Sequence, residues 1–244
     1  MIQTFVLNYK KVGKSMAALA ATNDSKIAAA TRERILDTAE RLFTENGFDA
    51  TSMRMITGGA EVNLAAVNYH FGSKEQLIQE VFRRRLTWLN RERLRLLDEL
   101  ERQSPDGRVK PSQIVDAFFG TLIRMAEQDE QGGRTFMRLI GRTLTEPSEF
   151  IRAFFAEEYA AVVERYKQAL FTALPDVPKA EIVWRFHFML GATSYAIAGT
   201  DALRIITDWG IPPQDDEEAP AKLLPRLMSF LLGGLRAPLP PAGP

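Results

Sequence analysis

Apolar residues in this chain recur every three to four positions and almost never every second one, and no Asn-Gly or Asp-Gly turn joins β-branched runs. That spacing predicts an all-α fold. Ile35, Leu36, Ala39, Leu42 and Phe43 share one helical face behind Thr31, a residue suited to capping, and Asn46-Gly47 supplies the stop. Thr51 or Ser52 caps a second, short helix carrying Met53 and Ile56, and Asn63 is placed to cap a third. Ser73 and Gln76 form an S-x-x-Q capping box, which opens a helix to about Glu101 with Leu77, Val81, Leu89, Leu96 and Leu100 on its apolar side. Beyond "QSPDGRVKP", helices are expected over 112–129, 133–145, 148–173, 179–206 and 221–235, parted by Gly132-Gly133, Glu146-Pro147, "LPDVPK" and the acidic "WGIPPQDDEEAP". The closing "APLPPAGP" reads as a disordered tail.

Three short helices bury little by themselves, so the long fourth helix is expected to dock on them and join them to the rest. This divides the chain into an N-terminal arm over 1–30, a three-helix domain over 31–76, a helical domain over 77–236 and a tail over 237–244. In the arm, Lys10, Lys11 and Lys14 precede an apolar run around Met16–Ala21 too short for a signal peptide, and Met16 is a second candidate for the natural start.

Composition excludes several function classes. The chain has 244 residues, 45% of them apolar and 25% charged, and no cysteine. Disulfides, thiolate nucleophiles and cysteine metal sites are therefore ruled out, and an intracellular, cytoplasmic location fits. His70 and His187 stand too far apart in sequence for a multi-histidine metal cluster, and no metal or cofactor is expected. The Gly13–Ser15 "GKS" lacks the upstream glycine of a phosphate loop, Asn8 standing there, and G-x-S-x-G and H-E-x-x-H are absent. Catalysis has no support. The most apolar segment is interrupted by Arg185, His187, Asp201 and Arg204, so no membrane span is expected. Net charge is zero, yet the first third of the chain leans basic and the remainder acidic, a mild sign of an anionic partner at one end.

The stretch "VNLAAVNYHFGSKEQL", Val62–Leu77, gives that partner a form. A helix of about seven residues entered by a tight turn from another short helix is a helix-turn-helix, whose second helix can lie in a major groove. Leu64, Ala65 and Ala66 keep it slim, with methyls for thymine contacts; Asn68 has the groups to read or position a base. Tyr69 and His70 can hydrogen-bond phosphates, and Lys74 adds a cation at the start of the next helix. The competing interpretation is a plain helical hairpin, with His70 a satisfied core histidine and Lys74 a solvated charge. The residue types alone leave the two even.

Around that stretch, the block Thr31–Phe82 resembles the N-terminal DNA-binding domain of the TetR family of transcriptional repressors. The likeness rests on "A-x-x-L-F-x-x-x-G-F" at Ala39–Phe48, "T-S-x-R" at Thr51–Arg54 and "Y-H-F-G-S-K-E-x-L" at Tyr69–Leu77. It implies an N-terminal helix-turn-helix and a divergent C-terminal domain that dimerises and holds a small effector. By that resemblance Thr51, Ser52 and Arg54 match second-helix contacts to phosphate and groove, and Asn63, Leu64, Ala65, Ala66 and Asn68 belong to the recognition helix. Tyr69, His70 and Lys74 match its backbone contacts. Two positions depart from the family pattern: Glu61 stands where Ala-Gly-Val usually places its glycine, and Met55 where Asp is frequent.

The segments "NLAAVNYHFGSK", "FMRLIGR" and "WRFHFMLGA" are similar to the fatty-acid-responsive branch of the same family, which implies a long-chain acyl effector. Such a ligand needs an apolar tunnel with one cationic end. Phe118, Leu122, Phe136, Trp184 and Phe188 are candidates for its wall, with Phe119, Met125, Met137, Leu139, Ile140, Phe155 and Met189 beside them. Arg138, Arg142 or His187 are candidates for its acidic head. Core packing is the simpler account of any one of these aromatics. Small residues at Gly191, Ala192, Ser194, Ala196, Ala198 and Gly199, with Leu223, Leu227, Phe230, Leu231 and Leu235, are expected to form a two-fold dimer interface. The expected function is a ligand-responsive repressor that binds a palindromic operator as a homodimer. The alternative is a helical interaction protein without DNA binding.

Overall fold

The computed structural model describes residues 25–105, 108–127, 133–145, 149–197 and 219–239. Its described residues are helical, with no strand among them: α1 (25–46), α2 (Met53–Gly59), α3 (Leu64–Phe71), α4 (Lys74–Gln103), α5 (Pro111–Val115), a π-helical turn (Asp116–Gly120), α6 (Thr121–Glu127), α7 (Gly133–Thr145), α8 (Glu149–Ala173), α9 (Lys179–Ile197) and α10 (Ala219–Leu235). Helix α1 begins before Thr31, so that threonine lies inside the helix instead of capping it, and residues 25–30, expected in the arm, are its first turns. The 1–24 segment, the acidic loop and the last five residues lie outside the described residues, as do 198–206, expected to extend α9.

The local caps form as the sequence predicts. Ser52 Oγ accepts the Met55 N–H at 3.2 Å, Asn63 Oδ1 accepts the Ala66 N–H at 2.8 Å, and Ser73 with Gln76 completes the capping box of α4. Helix α3 ends at Gly72, whose φ of 74° lies in the left-handed region that suits glycine. A Cβ there would also meet the Gln76 side chain at 2.3 Å. Glycine at this joint is what lets α4 start two residues later, behind its cap Ser73.

Two buried clusters lie along α4. The first joins Ile35, Leu36, Ala39 and Phe43 of α1, Ile56, Val67 and Phe71 of the two short helices, the N-terminal half of α4, and Phe136, Phe154 and Phe155 from α7 and α8. The second joins Leu97 to the π turn, α8, α9 and the apolar side of α10. The three-helix head packs directly on the C-terminal domain: Phe48 meets Phe150 of α8 with ring centroids 5.0 Å apart, and Phe82 of α4 packs against Phe155 at 4.9 Å. Arginines bind the same seam from outside. Arg84 meets Glu33 at 3.0 Å, Asp37 at 2.8 Å and the buried Glu40 of α1, while Arg83 reaches Glu158 of α8 at 3.0 Å.

Thr51 and Lys74 fasten the loop between α1 and α2. The Thr51 side chain is fully buried, its hydroxyl in reach of the carbonyls of Gly47 at 2.7 Å and Leu42 at 3.1 Å. The Lys74 ammonium donates to the carbonyls of Phe48 at 2.7 Å and Thr51 at 2.9 Å, stands 3.5 Å from that of Asp49, and lies 4.2 Å above the Phe48 ring. An ammonium has three N–H donors, so this loop engages the whole head group. Both residues were expected at phosphate. They are held inward because a buried loop carbonyl without a donor is costly, and these side chains supply the donors.

Glu61 adopts φ 52°, the left-handed conformation expected at the glycine position of the turn. For an L-residue that conformation costs about 1–2 kcal/mol.

Three stability predictions follow from the head. Thr51→Val, which keeps the shape and removes the hydroxyl, should lower stability by about 1–3 kcal/mol, and Lys74→Met by a similar amount, read as a fall in Tm. Glu61→Gly should raise Tm, with a gain of up to about 1 kcal/mol, because relief of the strain outweighs the extra chain entropy of glycine.

Candidate nucleic-acid interface and effector core

Helix α3 is two-sided. Val67 and Phe71 point into the first core, and the Arg32 guanidinium of α1 covers the Phe71 ring at 5.3 Å. The opposite side presents Leu64, Ala65, Asn68 and Tyr69, all exposed, with Tyr69 85% accessible. The sequence of α3 contains no acidic residue. Ala66 and His70 lie half-buried at the edges of that face, and the His70 ring packs edge-on to Tyr69 with centroids 5.2 Å apart. This surface is slim at its start, carries an amide in the middle, and ends in a phenol and an imidazole.

Ser52, Arg54 and Asn63 flank the face. All three are exposed. The Ser52 hydroxyl and Asn63 carbonyl are committed as caps, which leaves the Ser52 O–H and the Asn63 amide N–H groups as donors toward a ligand. Arg54 forms no ion pair with a described residue. Of the residues expected at DNA, nine are thus at or beside one exposed surface, and Thr51 and Lys74 are beneath it. At the start of α4, Glu75 is held below the ordinary carboxylate range by its own backbone N–H first and the Ser73 hydroxyl second. The first turn of α4 therefore supplies donors to its own side chains.

The residues expected around an effector divide differently. Phe118, Leu122 and Phe136 are buried, as are Phe119, Met125, Met137, Leu139, Ile140, Phe155 and Met189. Trp184 and Phe188 are 57% and 63% exposed, stacked on each other with centroids 5.7 Å apart, and the exposed His187 packs against both. These three form the outer face of α9 and line no interior. The inward position is the residue between them in sequence, Arg185, because the helix repeat carries Ile182, Arg185 and Met189 to the core. Arg138 is exposed and the side chain of Arg142 lies outside the described residues.

A buried cation comes from another helix. Arg93 of α4 is 2% exposed; its Nε donates to the Phe118 carbonyl at 2.9 Å in the π turn, and its guanidinium lies 4.0 Å over the Phe118 ring. Asn90 is 3.5 Å away, and the Tyr159 ring faces the guanidinium at 5.6 Å. The Tyr166 hydroxyl donates to the Arg93 carbonyl at 2.7 Å. Burial raises the pKa of both tyrosines, so they stay protonated donors. Among the described residues no carboxylate pairs with Arg93, so a buried positive charge is balanced by carbonyl, amide and aromatic faces alone. The signal in the sequence is its spacing: Leu86, Leu89, Asn90, Arg93 and Leu97 all fall on the buried stripe of α4.

Comparison with known proteins agrees with this division. Residues 35–81 match the model for bacterial regulatory proteins of the tetR family, and residues 116–234 match that for the tetracyclin repressor-like C-terminal domain. The transcriptional repressor KstR2 of Mycolicibacterium smegmatis is 38% identical over 61 residues, which cover 25% of this chain and 30% of that protein. The transcriptional regulator UidR of Escherichia coli K12 is 43% identical over 54 residues, covering 22% of this chain and 28% of that protein. The chain thus spans less than a third of the length of these curated relatives. Among solved structures, the fatty acid degradation regulator FadR from Bacillus halodurans aligns with a TM-score of 0.59 at 12% identity, over 85% of this chain and 97% of that one. KstR2 of Mycobacterium tuberculosis aligns with a TM-score of 0.52 at 18% identity, over 82% and 93%. Both likenesses carry the fold. With the head and the C-terminal domain each matched by a model of one family, the chain belongs to the TetR family of helix-turn-helix transcriptional regulators.

Proposed function

We propose that the protein is a repressor that binds a palindromic operator as a homodimer and is released by a small apolar effector. The observation that carries this reading is the α3 surface: Leu64, Ala65, Asn68 and Tyr69 stand clear of the fold on a helix without carboxylates, beside Arg54, which forms no ion pair with a described residue. Methyl, amide and phenol groups in that order suit thymine methyls, a base edge and the phosphate backbone.

Dimerisation is supported by an apolar surface that a lone protomer would leave in water. Val183, Trp184, Phe188 and Tyr195 of α9 and Phe230 of α10 are each 47–69% exposed, on helices that pack on each other. A concentration of large apolar groups of this kind marks an interaction site, and a second copy of the same two helices covers it with itself. Two α3 helices then fall on successive major grooves, about 34–36 Å apart, which is why a palindromic operator is expected.

An effector of long-chain acyl type is supported by the aromatic core of Phe82, Phe136, Phe154 and Phe155, which reaches through Tyr159 to the buried Arg93 under the Phe118 ring. Its apolar body would lie among these rings and its polar end at Arg93, Asn90 and Tyr159. Arg93 thus joins Arg138, Arg142 and His187 as a candidate for that end. Release follows if the ligand favours the arrangement of α4 that spaces the two heads wrongly.

A gel shift against the DNA upstream of the protein's own gene tests the reading. A retarded band is expected whose affinity falls steeply with salt, and Asn68→Ala with Tyr69→Ala should weaken it by about tenfold or more without changing Tm. No shift at low salt would instead favour a helical interaction protein. Phe188→Glu with Phe230→Glu should convert the dimer to monomer in sedimentation and abolish the shift.

A further inference from the structure

The end of the C-terminal domain farthest along α10 holds a cleft of about 460 Å³ that plays no part in the reading above. Its walls come from the start of α5, the turn between α8 and α9, and the end of α10 with the residues after it. Pro111, Leu174, Val177, Leu235 and Leu239 make it apolar. Three cations line it as well: Lys110, Arg185 and Arg236. Among the described residues no carboxylate lines it.

Two of the three cations are not consumed by the fold, and the third is only partly so. Lys110 and Arg236 are exposed, and neither side chain forms an ion pair with a described residue. Arg185 is 6% exposed; its Nε donates to Glu181 at 2.8 Å and its Nη1 to the Leu235 carbonyl at 2.6 Å, which leaves Nη2 buried with no partner among the described residues. A buried guanidinium donor left open is rare and marks a place where something else completes the set. Nearby acceptors are already occupied: Glu181 and the Leu235 carbonyl by Arg185, the Leu232 carbonyl by the Arg236 N–H and the Gly234 carbonyl by the Ala237 N–H. What the cleft offers is positive charge beside apolar wall.

We infer that this cleft binds a small amphipathic anion, its carboxylate or phosphate among Lys110, Arg185 and Arg236 and its apolar body along Pro111, Leu174, Val177, Leu235 and Leu239. The volume lies within the range of about 300–1,000 Å³ usual for small-molecule sites. Carboxylate or phosphate oxygens match a guanidinium with an open N–H. A bound ligand would bridge α5, the α8–α9 turn and α10, and so bear on the two helices that carry the exposed aromatic surface.

Isothermal titration of the full chain with decanoate, with decanol and with sodium sulfate tests this. In an Arg93→Met background, which removes the polar end of the acyl site proposed above, decanoate should saturate one site per chain, with decanol and sulfate at least tenfold weaker. Lys110→Glu with Arg236→Glu should weaken decanoate at least tenfold while Tm and the operator shift stay as in the unaltered protein, and Lys110→Gln alone should weaken it about threefold. Decanoate binding that ignores both variants places the ligand elsewhere, and overturns the inference. Equal binding of sulfate overturns the amphipathic class, and equal binding of decanol overturns the role of charge. Because operator binding is read separately, loss of the gel shift in the unaltered protein would count against the repressor and leave this site standing.

Discussion

The Lys74 ammonium is the fixed point of the reading head. It sits in the first turn of α4 and grips the carbonyls of Phe48 and Thr51 in the loop that leads from α1 to α2. Thr51 holds the same loop from its other side through the Gly47 and Leu42 carbonyls. A loop with few apolar residues of its own thereby becomes as rigid as the helices it joins, because its backbone acceptors are satisfied by side chains that are themselves buried or half-buried. The slim outer face of α3 can then be presented in one orientation. Its inner face is Val67 and Phe71, and these need α1 and α4 in place to have anything to pack on.

Helix α4 extends that order into the C-terminal domain. Its N-terminal half is core of the head and its C-terminal half is core of the aromatic region, so one rigid element belongs to both. A run of side chains follows the same route on the surface: Arg32 reaches Glu80 at 2.5 Å, Arg83 bonds Glu80, and Arg83 reaches Glu158 of α8. Such exposed pairs add little stability one by one. Their geometric effect is to tie α1, α4 and α8 at one level. In the middle of α4 lies Arg93, bonded to the carbonyl of a π turn, and π turns bend and loosen the local hydrogen-bond ladder. A ligand that competes for Arg93 would act where α4 meets that turn.

Much of this was legible in the residues. Periodicity predicted the helices because most are amphipathic, and the caps at Ser52, Asn63 and Ser73 formed where serine and asparagine stand. Glu61 was expected to be strained on the strength of a missing glycine, and its φ of 52° agrees. Side-chain direction was less legible. Lys74 and Thr51 belong to a motif that sits at a DNA surface, yet which way a side chain turns depends on loop carbonyls brought close by folding. Trp184, His187 and Phe188 have the composition of a pocket, and only the placement of Ile182, Arg185 and Met189 toward the core turns them outward. Arg93 escaped notice because a charge on an apolar stripe reads as a helix surface until its neighbours are known.

The account's central claim is that two rigid heads, each locked to its α4, meet DNA at a spacing fixed by the dimer. The chain has no cysteine, so a spin label at Gly58→Cys, an exposed position with open space around the added Cβ, reports on the heads without background. Pulsed dipolar spectroscopy on the operator complex should give a single narrow distance between the two labels. Absence of any dipolar coupling, or a broad distribution on operator DNA, would contradict the claim.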